Sequence, residues 1–224
     1  MSFTAYKKAF PYKGSAIYSV LFDLHSDNIK TKKQKFAVNN LEKIFKATFK
    51  ISAKIGFHEM SLRDLSRETG LSMGGIYSCI ASKDIIAVMV KDMVKHVTVE
   101  IIDNAQQSDN KEEALKLIIT HLIYATDILQ AWFYFLYFET RSLSAHDQQD
   151  SKMIEKLIVD TLEELLKAVQ KNNSGQDHHF LATMILAMIQ ERYLKPWKYK
   201  GSDLSIEDYA RKTVNIALPE LIKP

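Results

Sequence analysis

The chain has 224 residues, 46% of them apolar, enough to bury a substantial core as one larger domain or two smaller ones. No apolar run approaches the roughly 18 residues a membrane span needs, and the single cysteine, Cys79, excludes an intramolecular disulfide. The net charge of +3 is unevenly spread: residues 1–96 carry 16 Lys and Arg against 8 Asp and Glu, residues 97–224 carry 14 against 19, so the front is the half suited to a polyanion.

Gly (7) and Pro (4) are scarce and β-branched runs are short, so an all-α protein is expected. The N-terminus lacks a signal-peptide layout, because its apolar patch, AIYSVLF, is short and follows no small-residue cleavage site. A cytoplasmic protein with no membrane partner is the expectation.

Residues 1–35 read as a basic extension, in part mobile, and the sequence assigns them no fold. Lys7, Lys8, Lys13, Lys30, Lys32, Lys33 and Lys35 surround a small apolar patch, Ile17 to Leu24; FPYKG suggests a turn and KTKKQK an exposed connector. From Phe36 a helical pattern begins, with Leu41, Ile44, Phe45, Thr48, Phe49 and Ser52 at three- and four-residue spacing and Gly56 as the stop. Ser61 opens the next helix, with Asp64 three residues on as a variant capping box, and Gly70 ends it. Ser72 caps a third helix to about Ile80, and Ser82 a fourth from Lys83 toward Ala105.

Three short helices with a tight Gly-Leu-Ser turn between the second and third form a helix-turn-helix pattern over residues 36–82. In that arrangement the second helix braces across the DNA backbone and the third enters the major groove. The adjacent glycines Gly74 and Gly75 cost a helix roughly 1 kcal/mol each relative to alanine. Close approach of main chain to DNA supplies the reason for them.

Residues 83–224 read as further helices with polar breaks. NKEEALKLIITHLIYATDIL (110–129) is capped by Asn110, and QAWFYFLYFETR (130–141) is apolar nearly all round, hence expected to be buried on most sides. SLSAHDQQD reads as a loop before a helix from about Ser151 to Lys171; NNSGQD breaks it. Helices near His179–Lys195 and Ser205–Leu218 follow, and Pro219 marks an end or a kink. The last two carry stripes, Leu181, Met184, Ile185 and Met188 on one and Ile206, Tyr209, Ala210, Thr213, Val214 and Ala217 on the other. Such stripes suit either a four-helix contact between two copies or ordinary intramolecular core.

From Leu41 to Val94 the chain resembles the TetR family of transcriptional regulators. Ile44, Phe45, Ala47, Gly56 and Phe57 fall at the family's first-helix positions, and Ser61, Leu65, Gly70, Leu71, Ser72, Gly74, Ile76, Tyr77, Ser82 and Lys83 keep the register of the rest. The resemblance implies that Tyr77 bonds a phosphate, that Lys83 and the start of its helix hold another, and that Arg63 serves the flanking backbone. Ser72, Met73, Gly75 and Ser78 stand where they approach bases, with Gly74 in the family's register. It also implies a homodimer through the last two helices, a near-palindromic operator, and a small hydrophobic effector among the middle helices. The effector residues expected are His121, Tyr124, Phe133, Tyr137, Gln190 and Tyr193. FETRSLS and YLKPW look like the branch of the family that answers to acyl or other apolar metabolites. Residues 83–224 are then the effector-binding and dimerisation domain, and the protein a ligand-responsive regulator with repression as the family default.

The departures are informative. Cys79-Ile80 stands where the family often has His-Phe, Ser52 replaces a core aromatic, and Met73 stands where a polar residue or cation is common. The recognition helix carries no Arg or Lys, so no bidentate guanine contact is available and an A/T-leaning operator is expected. Lys30, Lys32, Lys33 and Lys35 offer either an arm to phosphates and minor groove or a solvated linker. A helical ligand-binding protein that has lost DNA reading is the rival function. No Gly-rich phosphate loop, Gly-x-Ser-x-Gly elbow or HExxH is present, so no enzyme, cofactor or metal ion is expected. His178 and His179 diverge by about 100° on a helix and rarely share an ion. Cys79 reads as an inert filler rather than a redox sensor.

Overall fold

The computed structural model describes residues 1–31, 33–139, 144–170 and 177–218. Lys32 of the basic connector, Thr140 to Leu143 of FETRSLS, the break at 171–176 and Pro219 lie outside the described residues. The chain is all-α, as expected. In order come α1 (Phe3–Ala9), α2 (Ala16–Leu24), α3 (Gln34–Ile55), α4 (Leu62–Thr69), α5 (Met73–Tyr77) and α6 (Lys83–Gln106). They are followed by α7 (Lys111–Ile128), α8 (Gln130–Glu139), α9 (Ala145–Val169), α10 (His178–Leu194) and α11 (Ile206–Ala217). No single helix among the described residues is long and apolar enough to cross a membrane.

Most boundaries follow from side chains that satisfy orphan backbone groups. Gly56 ends α3 at φ 81°, and Gly70 ends α4 in the left-handed region at φ 69°, where a Cβ would be strained. Ser61 and Asp64 form a reciprocal capping box on α4. The Asn110 side chain accepts from the N–H groups of Glu112 and Glu113 on α7, and Ser205 accepts from Asp208 on α11. One start differs from expectation: α9 begins at Ala145 rather than Ser151, because the Ser144 hydroxyl accepts from the Asp147 N–H at 3.1 Å. The cap lies inside a stretch whose composition reads as loop.

The chain divides into two compact units. The head unit comprises Phe10–Val94 with Ala131–Ser151, and the body unit Met1–Ala9, Lys95–Gln130 and Lys152–Pro224. In the head, the amphipathic α3 buries Leu41, Ile44 and Phe45 fully. Phe45 stacks on Trp132 of α8 with centroids 5.1 Å apart, and Phe49 meets Trp132 and Phe135 edge-on at 5.2 and 5.6 Å. Contrary to the expectation of burial on most sides, α8 leaves Tyr134, Tyr137 and Phe138 exposed. In the body, α7 packs against both α10 and α11, and Leu115, Ile118, Ile119, Ile185, Ala182 and Ala217 are buried completely.

The first 31 residues are folded. In α2, Ile17, Tyr18, Leu21 and Phe22 are buried, and the helix packs along α3. In α1, Tyr6 is buried and the helix packs on α7. Tyr6, Phe10, Tyr12 and Tyr18 carry apolar area that a solvated arm would expose, and their burial outweighs the repulsion among the lysines, which remain at the surface.

Candidate nucleic-acid interface

The turn between α4 and α5 is fixed from three sides. Leu71 supplies a carbonyl to the Ser66 hydroxyl at 2.6 Å and an N–H to Thr69 Oγ1 at 3.2 Å, while Gly70 reverses the chain. Ser72 then caps α5 by accepting from the Gly75 N–H at 3.1 Å. The helix is one and a half turns long, and Ile76 alone of its residues is buried. Its remaining surface faces solvent: Ser72, Gly74 and Tyr77 are exposed and Met73, Gly75 and Ser78 half-buried; Arg63 on α4 is exposed.

The glycine pair has no internal justification. Both residues keep ordinary helical backbone angles, and a Cβ built on Gly74 would find only Ser72 Oγ at 3.9 Å. On Gly75 it would meet Ser72 Oγ at 3.5 Å and Leu71 Cβ at 3.7 Å, ordinary van der Waals contacts. Alanine fits at both sites, so the fold gains nothing from the missing methyls and loses helix propensity. What they provide is a flat stretch of surface backbone.

Lys83 has partners within the chain. Its Nζ donates to the carbonyls of Phe57 at 3.2 Å and His58 at 2.7 Å and lies 5.2 Å from the Phe57 ring centroid. It ties the turn after α3 to the start of α6, and that bracing occupies two of its three protons. Cys79 is buried, and desolvation raises its thiol above the ordinary value against weaker pulls from Ser78 and Asn40. A thiol so placed is a poor nucleophile.

Sequence reasoning missed one attachment. The N–H groups of Lys30 and Thr31 both donate to the carbonyl of Ser78, at 3.0 and 3.2 Å, so the segment before α3 is pinned to the C-terminal end of α5. The bonds are backbone to backbone and need no particular side chain, so no motif could have announced them. Lys30, Lys33 and Lys35 are exposed beside this anchor.

The expected effector residues are distributed over both units. His121 and Tyr124 of α7 lie together in the body under α1: Tyr6 approaches the His121 ring at 4.7 Å and Tyr124 at 5.4 Å, and Phe3 approaches Tyr124 at 5.1 Å. Burial, aided by the N-terminal ammonium, lowers the His121 pKa. Tyr193 is buried in the body, and Gln190 turns its amide to Glu155 at 2.8 Å. Phe133 is buried in the head and Tyr137 is exposed there. An open groove of about 430 Å³ in the head is lined by Ser15, Ser19, Gln34, Lys35, Val38, Asn39 and Glu42, none of them expected.

Of the expected dimer residues, Ile185, Ile206, Ala210, Val214 and Ala217 are buried within the single chain. Leu181, Met188 and Tyr209 are half-buried and Met184 is exposed. The apolar surface left open on these helices is Phe180, Met184 and Ala187 on α10 and Ile216 on α11.

Of the histidine pair at the start of α10, His179 is engaged elsewhere. Asp177 caps the helix and His179 Nδ1 lies 2.7 Å from Glu163. His146, Asp147 and Asp150 bring ligand atoms within 4.8 Å of one another, but Lys91 Nζ already donates to Asp147 at 2.6 Å and Asp150 at 3.2 Å. The ammonium supplies the positive charge there.

No protein-family model matches the chain, and no curated protein does. Solved structures share its fold at low identity, and the fold is that of TetR-family transcriptional regulators. The TetR-family regulator PfmR from Thermus thermophilus gives a TM-score of 0.66 at 20% identity, over 80% of this chain and 99% of that one. AibR, solved with isovaleryl coenzyme A and operator DNA, gives 0.68 at 18% identity, over 80% and 98%. FadR from Bacillus subtilis, solved with stearoyl-CoA, gives 0.58 at 17%, over 80% and 97%.

Proposed function

We propose that this protein is a ligand-responsive transcriptional regulator that reads operator DNA through α5 as a homodimer, residues 36–82 forming the DNA-binding domain. The observation that carries the reading is the surface glycine pair, which costs the helix stability, has room for methyl groups, and lies at the start of a capped recognition helix. Tyr77 and Arg63 are the backbone contacts, and Ser72, Met73, Gly74, Gly75 and Ser78 the base-facing surface. Lys83 acts by bracing as much as by charge. With no cation on α5, hydroxyls and thymine-methyl contacts carry base selection, and the operator leans to A/T.

The second half of the reading is an apolar effector bound within residues 83–224, with His121, Tyr124, Phe133, Tyr137, Gln190 and Tyr193 as candidates. The acyl thioesters seen with AibR and FadR support an acyl-CoA class. Helix α6 belongs to both units, its residues 83–94 to the head and 95–106 to the body, and it leads directly from the recognition helix, so it is an element through which occupancy changes DNA affinity. Repression, relieved by ligand, is the default mode of such regulators.

The test is a random-DNA selection with the purified protein, followed by mobility shifts over a salt series and release assays with isovaleryl-CoA and stearoyl-CoA. A specific complex, weakened by one of the thioesters, is expected. The rival, a ligand-binding protein that no longer reads DNA, draws support from the cation-free α5 and from the two carbonyls that occupy Lys83. No specific complex even at low salt, where electrostatic attraction is strongest, selects the rival.

A further inference from the structure

The N-terminal 31 residues make an attachment in each unit, and the two attachments are joined by a short covalent path. In the body, α1 is held to α7 by Phe3 and Tyr6 against Tyr124 and His121 and by the Tyr6 hydroxyl donating to the His121 carbonyl at 3.4 Å, and to α11 by the Phe3 N–H donating to Glu207 at 3.0 Å. In the head, α2 packs on α3 with Tyr18 5.9 Å from Trp132, and Lys30 and Thr31 are bonded to the Ser78 carbonyl at the end of α5. The chain passes from body to head at Ala9–Phe10.

We propose that residues 1–31 form a strap, a further mechanical connection between the sensing body and the recognition helix in addition to α6, the α7–α8 junction and α9. Helix α1 has seven residues and one buried side chain, Tyr6. A helix that short has no stability of its own, so it stays only while docked. Its docking surface is the His121–Tyr124 face, which carries two of the six residues proposed for the effector. A flat or apolar ligand on that face exchanges its own contacts for those of Phe3 and Tyr6, and α1 leaves or shifts. The pull runs through α2 to Lys30 and Thr31. Their acceptor, Ser78, also closes the end of α5 through its hydroxyl, which donates to the Gly75 carbonyl at 2.7 Å. The last turn of the recognition helix therefore responds to the position of α1. The inference rests on reading α5 as the DNA-contacting helix and His121 with Tyr124 as sensing residues.

Residue-resolved amide hydrogen exchange on the full chain tests the strap without DNA or effector. Phe3→Ala/Tyr6→Ala is expected to free α1 and to speed exchange at Lys30 and Thr31 by about tenfold or more, with Ile189 in the body core unchanged. Loss of protection in α1 with wild-type rates at Lys30 and Thr31 overturns the proposal. A six-residue Gly-Ser insertion after Gly14, in the exposed turn between α1 and α2, slackens the strap while leaving both attachments. In that background the double substitution is expected to leave Lys30 and Thr31 at their slackened rate; a persisting effect means that the signal travels by another path and overturns the strap. Should the double substitution cost the fold, Phe3→Ala alone is read the same way. An intact exchange response in a protein that makes no specific DNA complex removes the regulator reading and leaves the mechanical connection standing.

Discussion

On the proposed DNA-reading role of α5, Gly74 and Gly75 set stability against function in one turn of helix. Replacing either with alanine adds a methyl group that meets nothing closer than 3.5 Å and removes backbone freedom from the unfolded chain. Each substitution is expected to stabilise the protein by about 0.5–1 kcal/mol, a rise of roughly 1–4 °C in melting temperature. Operator affinity is expected to fall at least about tenfold, since a methyl group on a base-facing surface pushes the backbone off the groove and forfeits well over 1 kcal/mol of contacts. Thermal melts and mobility shifts on the same two variants check both halves. A fall in melting temperature shows that the glycines serve the fold. The helix-turn-helix pattern was legible because the spacing of Ser61, Gly70, Ser72, Tyr77 and Lys83 is a local property of the chain. The bracing role of Lys83 was not, because its acceptors are main-chain carbonyls 25 and 26 residues away.

At the scale of elements, the charged cluster where α6 meets the start of α9 within the head is the most consequential. Lys91 is buried at 5% exposure, with Asp147, Asp150 and Asp92 at 2.6, 3.2 and 3.4 Å. Burial alone would lower its pKa, but the three carboxylates hold it above the ordinary value. Lys91→Met leaves those carboxylates facing one another and is expected to cost about 2–3 kcal/mol in urea unfolding at pH 7, less than a fully buried pair because the aspartates are partly wet. Adding Asp147→Asn is expected to return part of the loss.

Two histidines give the folded chain a pH dependence. His25, at the end of α2, is buried with Nε2 3.4 Å from Asp92 Oδ2. Desolvation lowers its pKa, Asp92 opposing and Lys91 assisting, and His121 is lowered by burial as well. A depressed histidine pKa means that the unfolded chain takes up protons first. Stability is therefore full above about pH 6.5 and declines as pH falls from there toward the lowered folded values. Glu100 and Asp127, whose carboxyls burial raises, act with opposite sign at lower pH. Urea unfolding at pH 7.5 and 5.5 should show the loss, and His25→Asn/His121→Asn should flatten it. The N-terminal helices were hidden from sequence reading by their lysines, although aromatics at 3, 6, 10, 12, 18 and 22 are too many for a solvated arm. The early start of α9 was hidden in the same way, by a polar stretch that contains its own Ser-x-x-Asp cap.

For the whole molecule, the question left by the stripes on α10 and α11 is what holds the single chain together and what remains for a partner. Apolar periodicity reports burial without saying whose atoms do the burying, so the sequence could not separate the two. The answer differs residue by residue: Ile185 is fully buried within the chain, while Met184, its neighbour, is 42% exposed, and Phe180 is 62% exposed one turn earlier. Phe180, Met184 and Ala187 follow a spacing of four and three, which places them on one face. If that face joins two copies, Met184→Glu should yield a folded monomer, its melting curve close to that of wild type under conditions where wild type is dissociated. Ile185→Glu should instead unfold the body, because its carboxylate would be buried without a partner. Light scattering coupled to size exclusion separates the outcomes. The functional consequence follows from having two heads: a monomer engages one half-site and loses the gain of tethered binding, about 10²–10⁴ in operator affinity. A Met184→Glu protein that keeps the dimer mass removes this face from the interface, and a wild-type monomer that binds DNA with full affinity removes the dimer from the mechanism.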